Sequence, residues 1–224
     1  MKKILPQYTY FPLIITVILN FAVFYGTRPF NRGLHHYNMS LPIDDWIPFV
    51  PAAIVIYFLA FLTWVIGYCV IARESEEICC ELLAAEVIAK LLSMVCFLVI
   101  PTVMVRPEVT GNDPFSWLTA FAYAADTPDN LFPSIHCLAN WFAFRGALRC
   151  RKVGSGYKIF MGVYAVLVFA ATLLVKQHVF VDVLGGVAVV ELGLWLSRCL
   201  GAGRLFGAAN RRLGLSESRG NERK

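Results

Sequence analysis

The chain has 224 residues, of which 58% are hydrophobic and only 16% charged, and its mean hydropathy is +0.63. Soluble domains run at roughly 25% charged, so this composition excludes an ordinary water-soluble protein and predicts an all-α, polytopic membrane bundle. The formal charge of +5 comes from Lys and Arg grouped at the ends of apolar runs and in the tail, a pattern that reports topology and gives no reason to expect nucleic acid as a partner.

About six apolar stretches approach or exceed the ~20 residues that a helix rising ~1.5 Å per residue needs to cross ~30 Å of hydrocarbon. In chain order they are Tyr8 to Gly26, Trp46 to Ala72, Leu83 to Val105, Ser134 to Arg149, Tyr157 to Val175 and Val179 to Cys199. The first follows Lys2 and Lys3 as a signal peptide would, but no small-x-small cleavage site comes after it, so a retained span is expected. The fourth is short and carries Arg145; Pro128 and Pro133 ahead of it nevertheless mark a helix start. Together the spans form one membrane domain over residues 1–200, with its chemistry within about 83–199. Residues 201–224 are rich in Gly, Arg and Ser and read as a basic, disordered tail drawn to anionic lipid. The cysteines include no Cys-x-x-Cys pair and read as small hydrophobes.

An even number of spans puts both termini on one side, and both termini are basic, so both are expected in the cytoplasm. The segment from Arg149 to Lys158 then falls inside as well, together with the short acidic loop Arg73 to Glu77. Three segments are left for the outer face: Thr27 to Asp45, Arg106 to Pro133, and the turn Lys176 to His178. Among them Arg28, Arg32, His35 and His36 are either solvated interfacial residues or guides for an anionic head group. Asn38-Met39-Ser40 fits a glycosylation acceptor.

The residues with chemistry to offer all fall at this outer face. His178 and Asp182 are four apart at a helix start and so share a face. A carboxylate there accepts the Nδ1 proton of the imidazole, fixing the tautomer and leaving Nε2 as a nucleophile. In a soluble helix such a pair would say little, but at membrane depth an ionisable side chain costs about 3 kcal/mol or more and marks a functional site. Ser134 and His136 open the fourth span, where unpaired N–H groups favour an anion; Ser134 is equally a plain N-cap. Arg106 offers a planar fork for phosphate oxygens or snorkels at a helix end, and Lys176 is a second cation. Two cations, a helix N-terminus and two histidines make phosphoryl transfer the economical reading.

Two deeper charge pairs are also expected. Arg145 lies nine residues after His136 and Glu191 nine after Asp182, which places both roughly 13 Å below the site and at matching depth. Glu86 and Lys90, four apart in the third span, are placed to pair locally.

Arg106-Pro107, then Pro133-Ser134-Ile135-His136, then His178-x3-Asp182 resembles, in order and placement, the signature of the type 2 phosphatidic acid phosphatase and vanadium haloperoxidase superfamily. The resemblance covers about Leu83 to Cys199. It departs from the pattern at Val99, where the family has lysine, at Ile135, where it has glycine, and at Thr172, where it has arginine. Lys90 lies roughly 24 Å from Arg106 along a helix and cannot stand in for the missing lysine, whereas Lys176 can supply a cation. The strings Phe132-Pro133-Ser134-Ile135-His136 and Lys176-Gln177-His178 are also similar to inositol phosphorylceramide synthases. The resemblance implies His178 as the nucleophile, Asp182 as its orienting partner and His136 as the general acid. Arg106, Ser134 and Lys176 would hold the phosphate, and no metal or other cofactor would be needed.

The expected activity is therefore hydrolysis of a lipid phosphate at the extracytoplasmic face, with membrane lipids as surroundings. The alternatives are a lipid phosphotransferase sharing the same nucleophile and a catalytically silent membrane scaffold or transporter. Neither the lipid nor the oligomeric state is written in the sequence.

Overall fold

The computed structural model describes residues 5–216. A 3-10 turn, Gln7–Thr9, leads into α1 (Tyr10–Phe24), and the connection after it carries α2 (Arg28–Asn31) and α3 (Pro42–Trp46). Then follow α4 (Ile54–Glu74), α5 (Glu76–Val99), α6 (Pro114–Ala125), α7 (Ile135–Arg149), α8 (Ser155–Leu174), α9 (Phe180–Leu200) and α10 (Ala202–Arg212). The fold is an all-α bundle. Among the described residues five stretches are long and apolar enough to cross a membrane: Gln7–Asn31, Pro51–Glu74, Glu76–Val99, Ser155–Leu174 and Phe180–Leu200. The remaining expected span, α7, has 15 residues and so covers about 22 Å. It can be short and polar because α4, α8 and α9 enclose it.

The differences from the expected boundaries have local causes. Prolines at 48 and 51 delay α4 until Ile54. The acidic segment Arg73 to Glu77 is not a loop: only Ser75 breaks the helices, and its hydroxyl accepts the Ile78 N–H to start α5 about two turns early. At the other end Pro101 forces Ile100 out of the helical region, so α5 stops at Val99 and Arg106 stands on an extended segment. The unexpected α6 starts where the Asp113 carboxylate accepts N–H groups of Phe115 and Ser116. It exposes Phe115, Trp117 and Phe121.

Close helix approach in the core depends on small residues. A Cβ on Gly193 of α9 would come within 2.5 Å of the Ala85 carbonyl oxygen of α5, and one on Gly186 within 2.8 Å of the Ser134 carbonyl oxygen at the start of α7. The second contact lets the Ser134 N–H donate to the Asp182 carbonyl at 3.0 Å, fixing the start of α7 beside the start of α9.

One end of the bundle gathers the first and last described segments, the start of α1 and α10. Gly201, in the left-handed region at φ 60°, turns the chain from α9 into α10. The tail departs here from the expected disorder: Phe206 and Asn210, one turn apart, form a face that docks on the bundle, and the Asn210 amide donates to the Tyr8 carbonyl at 2.8 Å. The rest of the expected tail, residues 217–224, and the amino-terminal Lys2 and Lys3 lie outside the described residues. At the same end Glu81 meets Arg149 at 2.9 Å and Arg198 at 3.5 Å, while Glu74 accepts the N–H groups of Arg151 and Lys152. The opposite end is capped by the three connections assigned above to the outer face.

Candidate functional site

Those three connections are tied to one another. The extended segment after α5 bridges Tyr37 through Thr102 and Asp129 through Val103, and the Thr102 hydroxyl accepts N–H groups of Leu131 and Phe132. Asn130, held in the left-handed region, donates to Thr27 at 2.9 Å and accepts from Asn31 at 2.8 Å. The turn that enters α7 is therefore braced from both sides before Ser134 is reached.

His178 Nδ1 lies 3.2 Å from Asp182 Oδ2, and that oxygen also accepts the Val179 N–H at 3.0 Å. Asp182 is thus both the acid capping the first turn of α9 and the partner of the imidazole. It is completely buried, and His178 nearly so. With Nδ1 engaged, Nε2 is the ring nitrogen available for chemistry. The His136 ring centre sits 5.9 Å from that of His178. His136 lies 4.4 Å from the Tyr57 ring of α4, tilted by 33°, and its Nε2 is buried without a partner.

Arg106 reaches this place from its loop. Its guanidinium donates to the Asp126 carbonyl and to the Gln177 side-chain oxygen and lies 4.8 Å over the Tyr123 ring. Burial lowers its pKa from the usual arginine range, opposed by the nearby Asp126. The Arg106 Nε and the Gln177 Nε2 are buried donors without partners. Buried polar groups are satisfied in the great majority of cases, so two donors left unpartnered beside a paired histidine suit an acceptor-rich ligand such as a phosphate.

Two of the residues assigned above to phosphate holding are otherwise engaged. The Ser134 hydroxyl accepts the Cys137 N–H at 3.3 Å, the plain N-cap of α7. The Lys176 ammonium donates to the carbonyls of Asp44 at 2.8 Å and Ile47 at 2.6 Å. Asp44 in turn accepts the Phe180 N–H at 2.7 Å, so α3 clamps the turn that carries His178. Thr172 supplies no cation; its carbonyl accepts the Gln177 and His178 N–H groups, and this folds that turn. Val99 is exposed at the end of α5. Arg28 is paired with Asp126 at 2.9 Å and Asp129 at 3.0 Å, so of the loop cations named above it braces the site. No group of three His, Cys, Asp or Glu side chains among the described residues could hold a metal ion.

No family model matches the chain, and neither a curated protein nor a solved structure does.

The resemblance gives no role to Gln177 or Asp126, yet both stand at the centre of this arrangement. Gln177 is fully buried beside His178, and its signal in the sequence was no more than a polar residue between Lys176 and His178. Asp126 ends α6. Burial raises its carboxyl above the usual range against the lowering influence of His178, Arg106 and Arg28. It also lines a cavity of about 420 Å³ whose walls come from α1, α4, α6 and α7, with His136 at the same end.

Proposed function

We propose that the protein is an integral membrane enzyme that hydrolyses the phosphate monoester or diphosphate of a lipid at the extracytoplasmic face. The observation that supports this most directly is the 3.2 Å His178–Asp182 pair with a second imidazole 5.9 Å away whose Nε2 is buried and unpartnered, and with unpartnered donors of Arg106 and Gln177 alongside. In this reading His178 Nε2 attacks phosphorus, the P–N bond forms as the P–O bond to the lipid breaks, and His136 gives its proton to the departing alkoxide. His136 then takes a proton from water, whose oxygen displaces His178 and releases inorganic phosphate. Asp182 holds the tautomer throughout, and Arg106 with Gln177 neutralises and orients the phosphoryl oxygens. The motif order shared with the type 2 phosphatidic acid phosphatase superfamily favours the same chemistry, and the positive-inside pattern favours an outward-facing site with both termini in the cytoplasm.

A phosphotransferase that hands the same phosphohistidine to an alcohol is the second reading. It is favoured by the Asp126 carboxylate in the cavity wall near His136, which could receive an acceptor hydroxyl. A panel of lipid phosphates assayed for both phosphate release and head-group transfer tests the proposal. Release of phosphate blocked by vanadate is expected; acceptor-dependent transfer without release would establish the transferase, and neither reaction with any lipid would leave the scaffold.

A further inference from the structure

The cavity beside His136 is not uniformly enclosed. Its inner wall is buried: Tyr57, Ala60 and Ala139 are 3%, 1% and 3% exposed. Its outer lip is open, because Val17 and Phe21 of α1 line it while remaining 50% and 59% exposed. The reason lies in the packing. α1 rests along α5, and its neighbouring face lines the cavity between it and α4. The result is a lateral cleft between two membrane helices, open at its lip toward the hydrocarbon and reaching inward to the imidazole of His136. From Tyr57 to Trp64 it descends about 10 Å along α4.

Asp126 and His136 stand at the end nearest the site, and Asn140, deeper, is already satisfied by Thr63 at 2.9 Å and by the His136 carbonyl at 3.0 Å. Asn20 of α1 adds one further polar group, its side-chain oxygen buried without a partner. The remainder of the wall is largely aromatic and aliphatic. Within a bilayer such a surface is matched by hydrocarbon, and the end nearest the site holds the unpartnered Nε2 of His136.

We infer that the cleft between α1 and α4 is a binding site for a hydrocarbon chain of the substrate, which slides in sideways from the bilayer and hangs below a phosphate held between His136 and His178. The inference rests on the proposed phosphoryl-transfer reading for its polar end and on the cleft itself for its apolar end. It names the substrate as a membrane lipid recognised by its chain as well as its phosphate, and makes α1, which contributes nothing to the reaction centre, the helix that selects for that chain.

The test uses the full chain in lipid nanodiscs and an alkyl phosphonate carrying a photoreactive diazirine part-way along its chain, with adducts mapped by mass spectrometry. Adducts concentrated on Val17, Phe21, Phe61 and Trp64 are expected. They should fall several-fold in A60L and in A139L, each of which fills the cleft, with size-exclusion elution confirming that the variants remain folded. Adducts spread evenly over outward-facing side chains such as Leu192 and Trp195 would overturn the inference, as would a pattern unchanged in both folded variants. Excess vanadate separates the two ideas. If it displaces the phosphonate, the polar end is a phosphate site. If the adducts stay in the cleft regardless of vanadate, the chain site stands and the phosphoryl-transfer reading falls.

Discussion

Arg145 of α7 and Glu191 of α9 meet at 2.7 Å, nine residues and so about 13 Å along their helices from His136 and Asp182, and the indole N–H of Trp141 donates to the same carboxylate oxygen at 2.8 Å. Equal spacing from His136 and Asp182 predicts this contact, since two helices that start side by side and run in the same direction descend in step. The pair keeps α7, a 15-residue helix carrying Arg145, in register with α9, which begins two residues after His178.

A double-mutant cycle on this pair should therefore show strong coupling. Arg145→Leu and Glu191→Leu each strand a charge at membrane depth, whereas the double variant strands none. An interaction free energy of about 1–3 kcal/mol is expected from thermal or denaturant unfolding in detergent. Strict additivity would mean that the contact does not dock the two helices.

On the proposed reading His178→Ala should abolish turnover on every lipid phosphate, because the other imidazole of the site, His136, has no carboxylate partner among the described residues. His136→Ala should lower it by about 10²- to 10⁴-fold, the usual contribution of general acid–base catalysis. Substrates with good leaving groups should lose less, since they need no proton on departure. Phosphate release measured across leaving groups of graded basicity checks both expectations; activity retained in His178→Ala would reassign the nucleophile.

The apolar spans and the meeting of His136 with the His178–Asp182 pair were legible because the membrane enforces a simple code: long apolar runs cross, and an ionisable group inside one needs a reason. Even the short α7 was legible, from Pro133 and Ser134 at its start. Lys176 was not, because its carbonyl partners lie in Asp44 and Ile47, more than a hundred residues earlier, and no local pattern couples such segments. Arg106 was placed at a helix end since hydropathy runs on to Val105, while Pro101 had already ended the helix. α6 went unread because twelve residues are too few to register as a span, and with it went Asp126 at its end.

Gln177 provides a test that the resemblance alone would not suggest. Its side-chain oxygen accepts from Arg106 and its amide donors are unpaired. Gln177→Leu removes both functions, and Gln177→Glu keeps the acceptor while replacing the donor by negative charge. A hydrogen bond to a charged group is worth about 1.5–3 kcal/mol, so both variants should weaken vanadate inhibition and raise KM by about tenfold or more. The Glu variant should be the worse of the two. Equal inhibition constants for wild type and both variants would remove Gln177 from the anion site.

Lys176 should behave in the opposite way. Its ammonium is committed to two backbone carbonyls of the α3 segment, so Lys176→Ala releases the clamp on the turn before α9. A stability loss of about 1.5–3 kcal/mol is expected, with KM near that of wild type. A large rise in KM at unchanged melting temperature would instead return this lysine to the phosphate.

Lys90 and Glu86 form the most deeply buried ion pair, 2.8 Å apart on α5, each 0% exposed, with the ammonium also donating to the Thr16 carbonyl of α1 at 3.2 Å. The Trp64 ring lies 5.5 Å from the same nitrogen. Removing one partner leaves an uncompensated charge with no water to receive it, so Lys90→Leu should cost about 3–5 kcal/mol, whereas replacing both by leucine should be near neutral or stabilising. Because Lys90 ties α5 to α1, and α1 forms the outer lip of the cleft, the double variant should also loosen that lip. Restored stability in the double variant, together with altered discrimination between lipid chains, is the expected combination; a double variant as unstable as the single one would show that the pair is held by something other than mutual charge.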